Sequence, residues 1–327
     1  MKAAALTLYT HSRGFALAVA GIALLCAVGY FLGGYGDILT ADNGLALPSA
    51  NLWLPFRPVI NFAAALDATA ATIVIMLLLN KIHNVMRSMT TVYIAFFCMM
   101  QLATPEITTQ FYTGSVLAIV IPLCMLLLFN CYRDTGATRQ VFLISFLLSL
   151  STATQYCFAV YIPAMLLGCA QMRIFNRRTL TAFFLGLLTP WIILFGFGIV
   201  DPAEVSMPEV VSIFSVIDFD ETIMLIAATG FTALIALACY TFNVMRTIAY
   251  NARARAFNGA FTVVMLFTIV AMCADFRNII SYVPLLNYCA AMEVTHFFST
   301  HRAEKSFIAI YSLLAVYAAL FVCQIII

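Results

Sequence analysis

The sequence predicts an all-α fold, a polytopic integral membrane helix bundle of about eleven spans, with its N-terminus in the cytoplasm and its C-terminus outside. Three observations carry this. Charged residues make up only 9% of the 327 residues and hydrophobic ones 64%, where an ordinary soluble domain has roughly 25% charged residues. Mean hydropathy is +1.02, and the apolar stretches have the length that a helix needs to cross the hydrocarbon, about 20 residues. The Lys and Arg residues fall in twos and threes between those stretches, which is how topology is written into a membrane chain. One transmembrane domain over 1–327 is the expectation.

In order, the expected spans are 14–33, 58–80, 90–104, 114–131, 140–155, 158–172, 179–199, 222–245, 257–274, 278–294 and 306–326. The first follows Lys2 and Arg13 and imitates a secretory signal, but it is long and no small-residue cleavage site follows, so an uncleaved span is expected. Pro58 opens the second and Pro105 follows the third. Between Arg139 and Arg173 there is room only for two short helices joined near Tyr156. That pair either spans fully or forms a re-entrant hairpin over 140–172, which would leave nine full spans with the same termini. Outer loops are expected over 34–57 and 200–221; the second contains an amphipathic stretch, Glu209 to Val216, suited to lying along the membrane surface.

Charge tests this layout independently. With the N-terminus inside, fourteen of the sixteen Lys and Arg fall on the cytoplasmic side, leaving Arg57 and Arg277 outside. Short-loop Lys and Arg set orientation, so this asymmetry supports the direction and the odd number of spans. Most acidic residues, among them Asp37, Asp42, Glu106, Asp201 and Asp275, fall on the outer side.

Several function classes lack their residues. The net charge of +2 comes without a basic block, so no nucleic-acid partner is expected. The ten cysteines form no C-x-x-C pair and nearly all lie within apolar runs, where they read as small packing residues. His11, His83, His296 and His301 make no H-E-x-x-H, and neither G-x-S-x-G nor a Walker-type loop occurs. No cofactor is indicated; the outer carboxylates are compatible with a divalent cation, yet no motif calls for one.

The residues that remain are few. Asp67 stands about ten residues into the second span, some 15 Å deep at about 1.5 Å per residue, where a charge costs roughly 2.5–3.5 kcal/mol. It is either functional or hydrogen-bonded to a neighbouring helix, with Asn61 two turns earlier. Asp37 and Asp42 lie at the outer end of the first span, in Gly-Asp and Asp-Asn-Gly sequences that also suit plain turns; a carboxylate there can act as a base or hold a cation. Glu106 follows Pro105, which is also an ordinary helix start. In Asp275-Phe276-Arg277-Asn278, Arg277 suits a phosphate, with Asp275 beside it as a second binding group or as its ion-pair partner.

From about 90 to 200 the chain runs through a span, Thr104-Pro105-Glu106, a long apolar helix ending at Arg133, the short hairpin, Phe175-Asn176-Arg177-Arg178, and a span containing Leu187-Leu188-Thr189-Pro190. This layout resembles an uncharacterised bacterial family of multi-span inner-membrane proteins, a domain of unknown function. It is also similar to the transmembrane core of the C-type (GT-C) glycosyltransferases, which use polyprenyl-phosphate sugars. That resemblance implies a bacterial inner-membrane location, Asp37 or Asp42 as the base that activates the acceptor, Glu106 as a second acidic position and Arg277 as the phosphate contact. The first outer loop is shorter than is usual in that superfamily, and no soluble outer domain follows the last span. Three readings stay open: a lipid-linked sugar transferase, a non-enzymatic scaffold or assembly subunit with protein partners not specified by the sequence, and a transporter or flippase with Asp67 on its pathway. All three have membrane lipid as their surroundings.

Overall fold

The computed structural model describes residues 9–10, 12–34, 44–53, 57–86, 89–205, 219–247, 252–300 and 306–326. Among them no strand occurs. The helices are α1 (Arg13–Leu32), α2 (Pro58–His83), α3 (Thr90–Leu102), α4 (Thr113–Asn130), α5 (Thr138–Thr154), α6 (Tyr161–Gln171), α7 (Arg177–Gly196), α8 (Phe219–Thr247), α9 (Ala252–Ala274), α10 (Ile279–Thr300) and α11 (Ser306–Ile326). A one-turn helix, Pro105–Thr108, follows α3, and 3-10 turns stand at Tyr156–Val160 and Phe276–Asn278. Asp37 and Asp42, half of the first outer loop and the amphipathic stretch 209–216 lie outside the described residues.

Helix boundaries follow local chemistry. The Ser12 side chain accepts from Phe15 N at the start of α1, and Asn176 forms a capping box with Thr179 ahead of α7, each satisfying backbone N–H groups that a helix start leaves free. Asn84 ends α2 in the left-handed conformation, φ 52°. Arg177 and Arg178 open α7, where the helix dipole disfavours cations.

Among the described residues, seven helices are long and apolar enough to cross a membrane: α1, α2, α4, α7, α9, α11 and the Ile223–Met245 part of α8. Helices α3, α5 and α6 are shorter, while α10 has the length but is too polar to qualify. The reason is position. Seventeen of the 22 residues of α10 are buried, and it packs against α3, α4, α8 and α9. By contrast α1, which keeps only Phe15, Ala16, Ala27 and Tyr30 buried, shows its apolar side chains to the outside. One continuous core of buried apolar residues draws on every helix from Phe15 in α1 to Phe321 in α11.

Contacts between distant segments define two ends of the bundle. At one end Thr91 Oγ1 donates to Thr10 O (2.8 Å), Arg133 N to Met172 O (3.0 Å), and Arg253 meets His83 Nδ1 (3.4 Å). At the other, Ala46 N and Leu47 N both donate to Ala153 O (2.9 and 2.7 Å), and Tyr156 OH reaches Asp275 (2.8 Å). The first end carries Arg13, Lys81, Arg133, Arg139, Arg173, Arg177, Arg178, Arg253 and Arg255; the second carries Arg57 and Arg277, with Glu106, Asp201 and Asp275. The hairpin of α5 and α6 turns at Gln155, whose backbone is extended, and its tip reaches the same end as the C-terminus of α9.

Prolines within helices leave carbonyls without their usual partner one turn earlier, and hydroxyls from neighbouring helices take them up. Pro284 in α10 releases Ile280 O, which accepts from Tyr112 OH (3.0 Å). Pro122 in α4 releases Ala118 O, and Thr72 of α2 shares its hydroxyl proton between that oxygen (3.2 Å) and Ala68 O (3.0 Å). Close to Pro190 of α7, Ser149 of α5 donates to Leu187 O (2.6 Å).

Helices α5 and α7 approach closely because Gly186 has no side chain. A Cβ there would sit 2.0 Å from Ser145 Oγ and 2.5 Å from Phe142 O, whereas one on Gly196 of the same helix would meet nothing within 4 Å. Gly186→Ala is therefore expected to destabilise the protein by about 1–3 kcal/mol through overpacking, and Gly196→Ala to leave it unchanged or slightly more stable. Thermal unfolding of the purified protein in detergent checks the pair; equal effects at both positions would contradict the close α5–α7 contact.

Candidate functional site

The most enclosed charged residue among those described is Glu293, 1% exposed, on α10. Its carboxylate is held by two neutral donors from two other helices: Asn243 Nδ2 of α8 donates to Oε2 (2.7 Å) and to the Glu293 carbonyl (2.9 Å), and Thr262 Oγ1 of α9 donates to Oε1 (3.3 Å). No cation pairs with it among the described residues. Cys239 and Cys289 stand nearby. A carboxyl group so placed changes the local charge by one whenever it binds or releases a proton or a cation, and among the described residues no cation stands beside it to offset that change.

Thr262 also lines an open crevice between α8, α9 and the end of α6, with about 670 Å³ of empty space counting its mouth. The lining from α9 is one helical face, Arg255, Asn258, Gly259, Thr262, Val263 and Leu266, and Gln171, Tyr240 and Val244 complete it. Arg255 stands at the basic end. At about 1.5 Å per residue, Thr262 lies ten residues, or some 15 Å, beyond the start of α9. Gly259 leaves room for the Gln171 amide, which would be 3.1 Å from a Cβ. Asn258 is only 5% exposed, and its Oδ1, like Oε1 of Gln171, is buried with no hydrogen-bond partner among the described residues. Two orphan acceptors in one crevice are unusual, since buried polar atoms are nearly always satisfied. They suit a ligand that brings N–H or O–H donors.

Two further polar centres lie along α10. At mid-length Asn287 Nδ2 donates to Gln101 Oε1 of α3 (3.1 Å). Beside this pair, Thr69, Thr72, Gln101, Thr108, Ser115 and Pro284 line a crevice with room for about one water molecule. At the acidic end Asp275, 4% exposed, accepts from Tyr156 OH (2.8 Å), Tyr282 OH (3.2 Å) and Asn278 Nδ2 (3.1 Å). Asn278 also bonds the Tyr156 hydroxyl. These bonds tie the hairpin tip to the junction of α9 and α10.

The residues singled out from sequence are dispersed. Asp275 is enclosed in the cluster just described, while Arg277, two residues on, is exposed. Glu106 is exposed in the first turn of the short helix that Pro105 opens, at the same end. Asp67 is exposed on α2, outside the lining of both crevices. Asn61 is half-buried, and its Oδ1 accepts from Phe111 N, which holds the segment after α3 against α2. Among the described residues no group of three or more His, Cys, Asp and Glu is placed to hold a metal.

Glu293, Asn243, Thr262, Asn258 and Gln171 were not singled out from sequence. A span ending at 294 places Glu293 at its edge, where a charge is unremarkable; the helix in fact runs on to Thr300 and carries Glu293 two turns inward. The signal available was the continuing pattern Val294-Thr295-His296-Phe297-Phe298, which holds no helix breaker. Comparison of the chain with protein-family models, with curated proteins and with solved structures finds no match.

Proposed function

We propose that the chain is an eleven-span transporter of the cytoplasmic membrane, oriented with its basic end inside, and that its substrate enters the crevice between α8 and α9 and is coupled to Glu293. The observation that carries this reading is the joint position of Thr262, which lines the crevice and also donates to a buried carboxylate that has no cationic partner among the described residues. An ionisable group inside a membrane bundle is costly and marks a pathway more often than a packing site. Asn258 and Gln171 supply acceptors, so the substrate class is a small amine or polyol. Supporting the path beyond Glu293, Asn287 of α10 and its partner Gln101 of α3 lie farther toward the acidic end.

The orientation rests on the positive-inside rule, and eleven spans rather than nine on the reach of the α5–α6 tip to Asp275. An alkaline phosphatase fusion after the last residue is expected to be active, and a fluorescent protein there dark; the reverse pattern would remove the assignment of the ends.

A second reading, sugar transfer from a polyprenyl-phosphate donor at the acidic end, is favoured by the exposure of both Glu106 and Arg277 at that end. Under it, Arg277→Ala lowers transfer about 10²- to 10³-fold with thermal stability unchanged, measured with a lipid-phosphate sugar in membranes. Under the transport reading the same variant is silent.

Uptake of a panel of small amines and polyols into proteoliposomes with an imposed pH gradient separates the two. The wild type is expected to accumulate at least one class in a gradient-dependent manner. Glu293→Gln should abolish the dependence on the gradient, and Asn258→Leu should reduce uptake roughly tenfold, equivalent to about 1.4 kcal/mol. Uptake indifferent to both substitutions would sink the transport reading.

A further inference from the structure

We propose that the outward face of α2 centred on Asp67 is a docking surface for a transmembrane helix of another protein, one that carries a Lys or Arg at the matching depth. Phe62, Ala65, Ala68, Thr72, Ile75 and Met76 turn inward on α2. At about 100° per residue, Asp67 lies on the opposite side, in a strip with Ala63, Ala70 and Val74, all exposed. It stands nine residues after Pro58 and sixteen before His83, which at about 1.5 Å per residue places it some 14 and 24 Å from the two ends of the helix.

Nothing in the described structure satisfies this carboxylate. The hydroxyls nearest in sequence, Thr69 and Thr72, are spent on Ala65 O (3.0 Å) and Ala68 O (3.0 Å). A side chain with one methylene is too short to carry its charge to the interface, as Lys and Arg do. Acyl chains offer no donors, so a bare carboxylate on this face is unfavourable.

Charge complementarity selects the occupant. In the described helices the Lys and Arg residues lie within the first or last turn, as Lys81 does on α2 itself. A second copy docked by a two-fold axis would therefore bring an identical carboxylate rather than a cation. A foreign helix with Lys or Arg supplies the missing donors and the missing charge. Ala63 and Ala70, one turn to either side of Asp67, let its backbone approach closely, as small residues do at helix contacts in membranes. The inference is independent of the transport reading.

The test is site-specific photocrosslinking in native membranes, with a benzophenone side chain at Val74 of the full-length protein and at Ile192, exposed on α7, as the reference site. The expected result is an adduct at Val74 whose cross-linked peptide is a transmembrane segment containing Lys or Arg. Its yield should fall roughly tenfold in Asp67→Asn, as loss of one charge-assisted bond implies, while thermal unfolding of that variant stays unchanged. Asp67→Lys should abolish the adduct, and exchange of the partner's cation for Asp should restore it. An adduct with lipid alone, an adduct between two copies of this chain, no adduct at all, or a yield indifferent to Asp67→Asn would each overturn the proposal.

Discussion

Helix α10 is surrounded by other helices along most of its length, and the rest of the bundle is arranged to satisfy it. Seventeen of its residues are buried, and several are polar, so each must find its partner on a neighbouring helix rather than in water. Asn287 fixes α3 through Gln101. Glu293 fixes α8 through Asn243 and α9 through Thr262. The carbonyl freed by Pro284 fixes the segment before α4 through Tyr112. Where the chain enters α10, Asp275 gathers the hairpin tip. In a membrane interior a single interhelical hydrogen bond contributes only about 0.6 kcal/mol and at most about 1.7. Their larger effect here is selective, because sliding or turning a neighbour would strand a polar atom at a cost of several kcal/mol.

The outer helices obey a different rule. Between α5 and α7 the contact depends on backbone approach, with Gly186 against Ser145 and Phe142 O and Ser149 bonded to Leu187 O. Burial of apolar surface gives no net advantage between helices that lipid would cover equally well, so shape complementarity and small residues decide the pairing. The bundle thus has an interior specified by polar pairs and a periphery specified by close packing.

This division explains what was legible in the sequence. The lipid-facing helices announce themselves by hydropathy, and the charge asymmetry between the two ends follows from Lys and Arg placement alone. Helix α10 was located but cut short at 294, because a helix hidden from lipid has no need of an apolar sequence and its polar C-terminal half reads as the end of a span. The depth of Asp67 follows from counting residues, but its face does not: α2 is apolar nearly all round, so its sequence has no period from which to tell inside from outside. Asn243 and Thr262 are each one of several polar residues in two separate apolar runs, and only the fold brings them to Glu293.

Three acidic side chains then occupy three distinct situations on one scaffold. Asp275 accepts from three side chains that join three segments, and any movement of its surroundings breaks several bonds at once, which is what a fixed joint requires. Glu293 has two neutral donors, one of them shared with an open crevice, so fewer bonds hold its surroundings in place. Asp67 has none among the described residues, and faces outward. The number and origin of the donors around a carboxylate, rather than its depth alone, separate a group that joins several segments from one that borders a crevice and from one on the outer surface of the bundle.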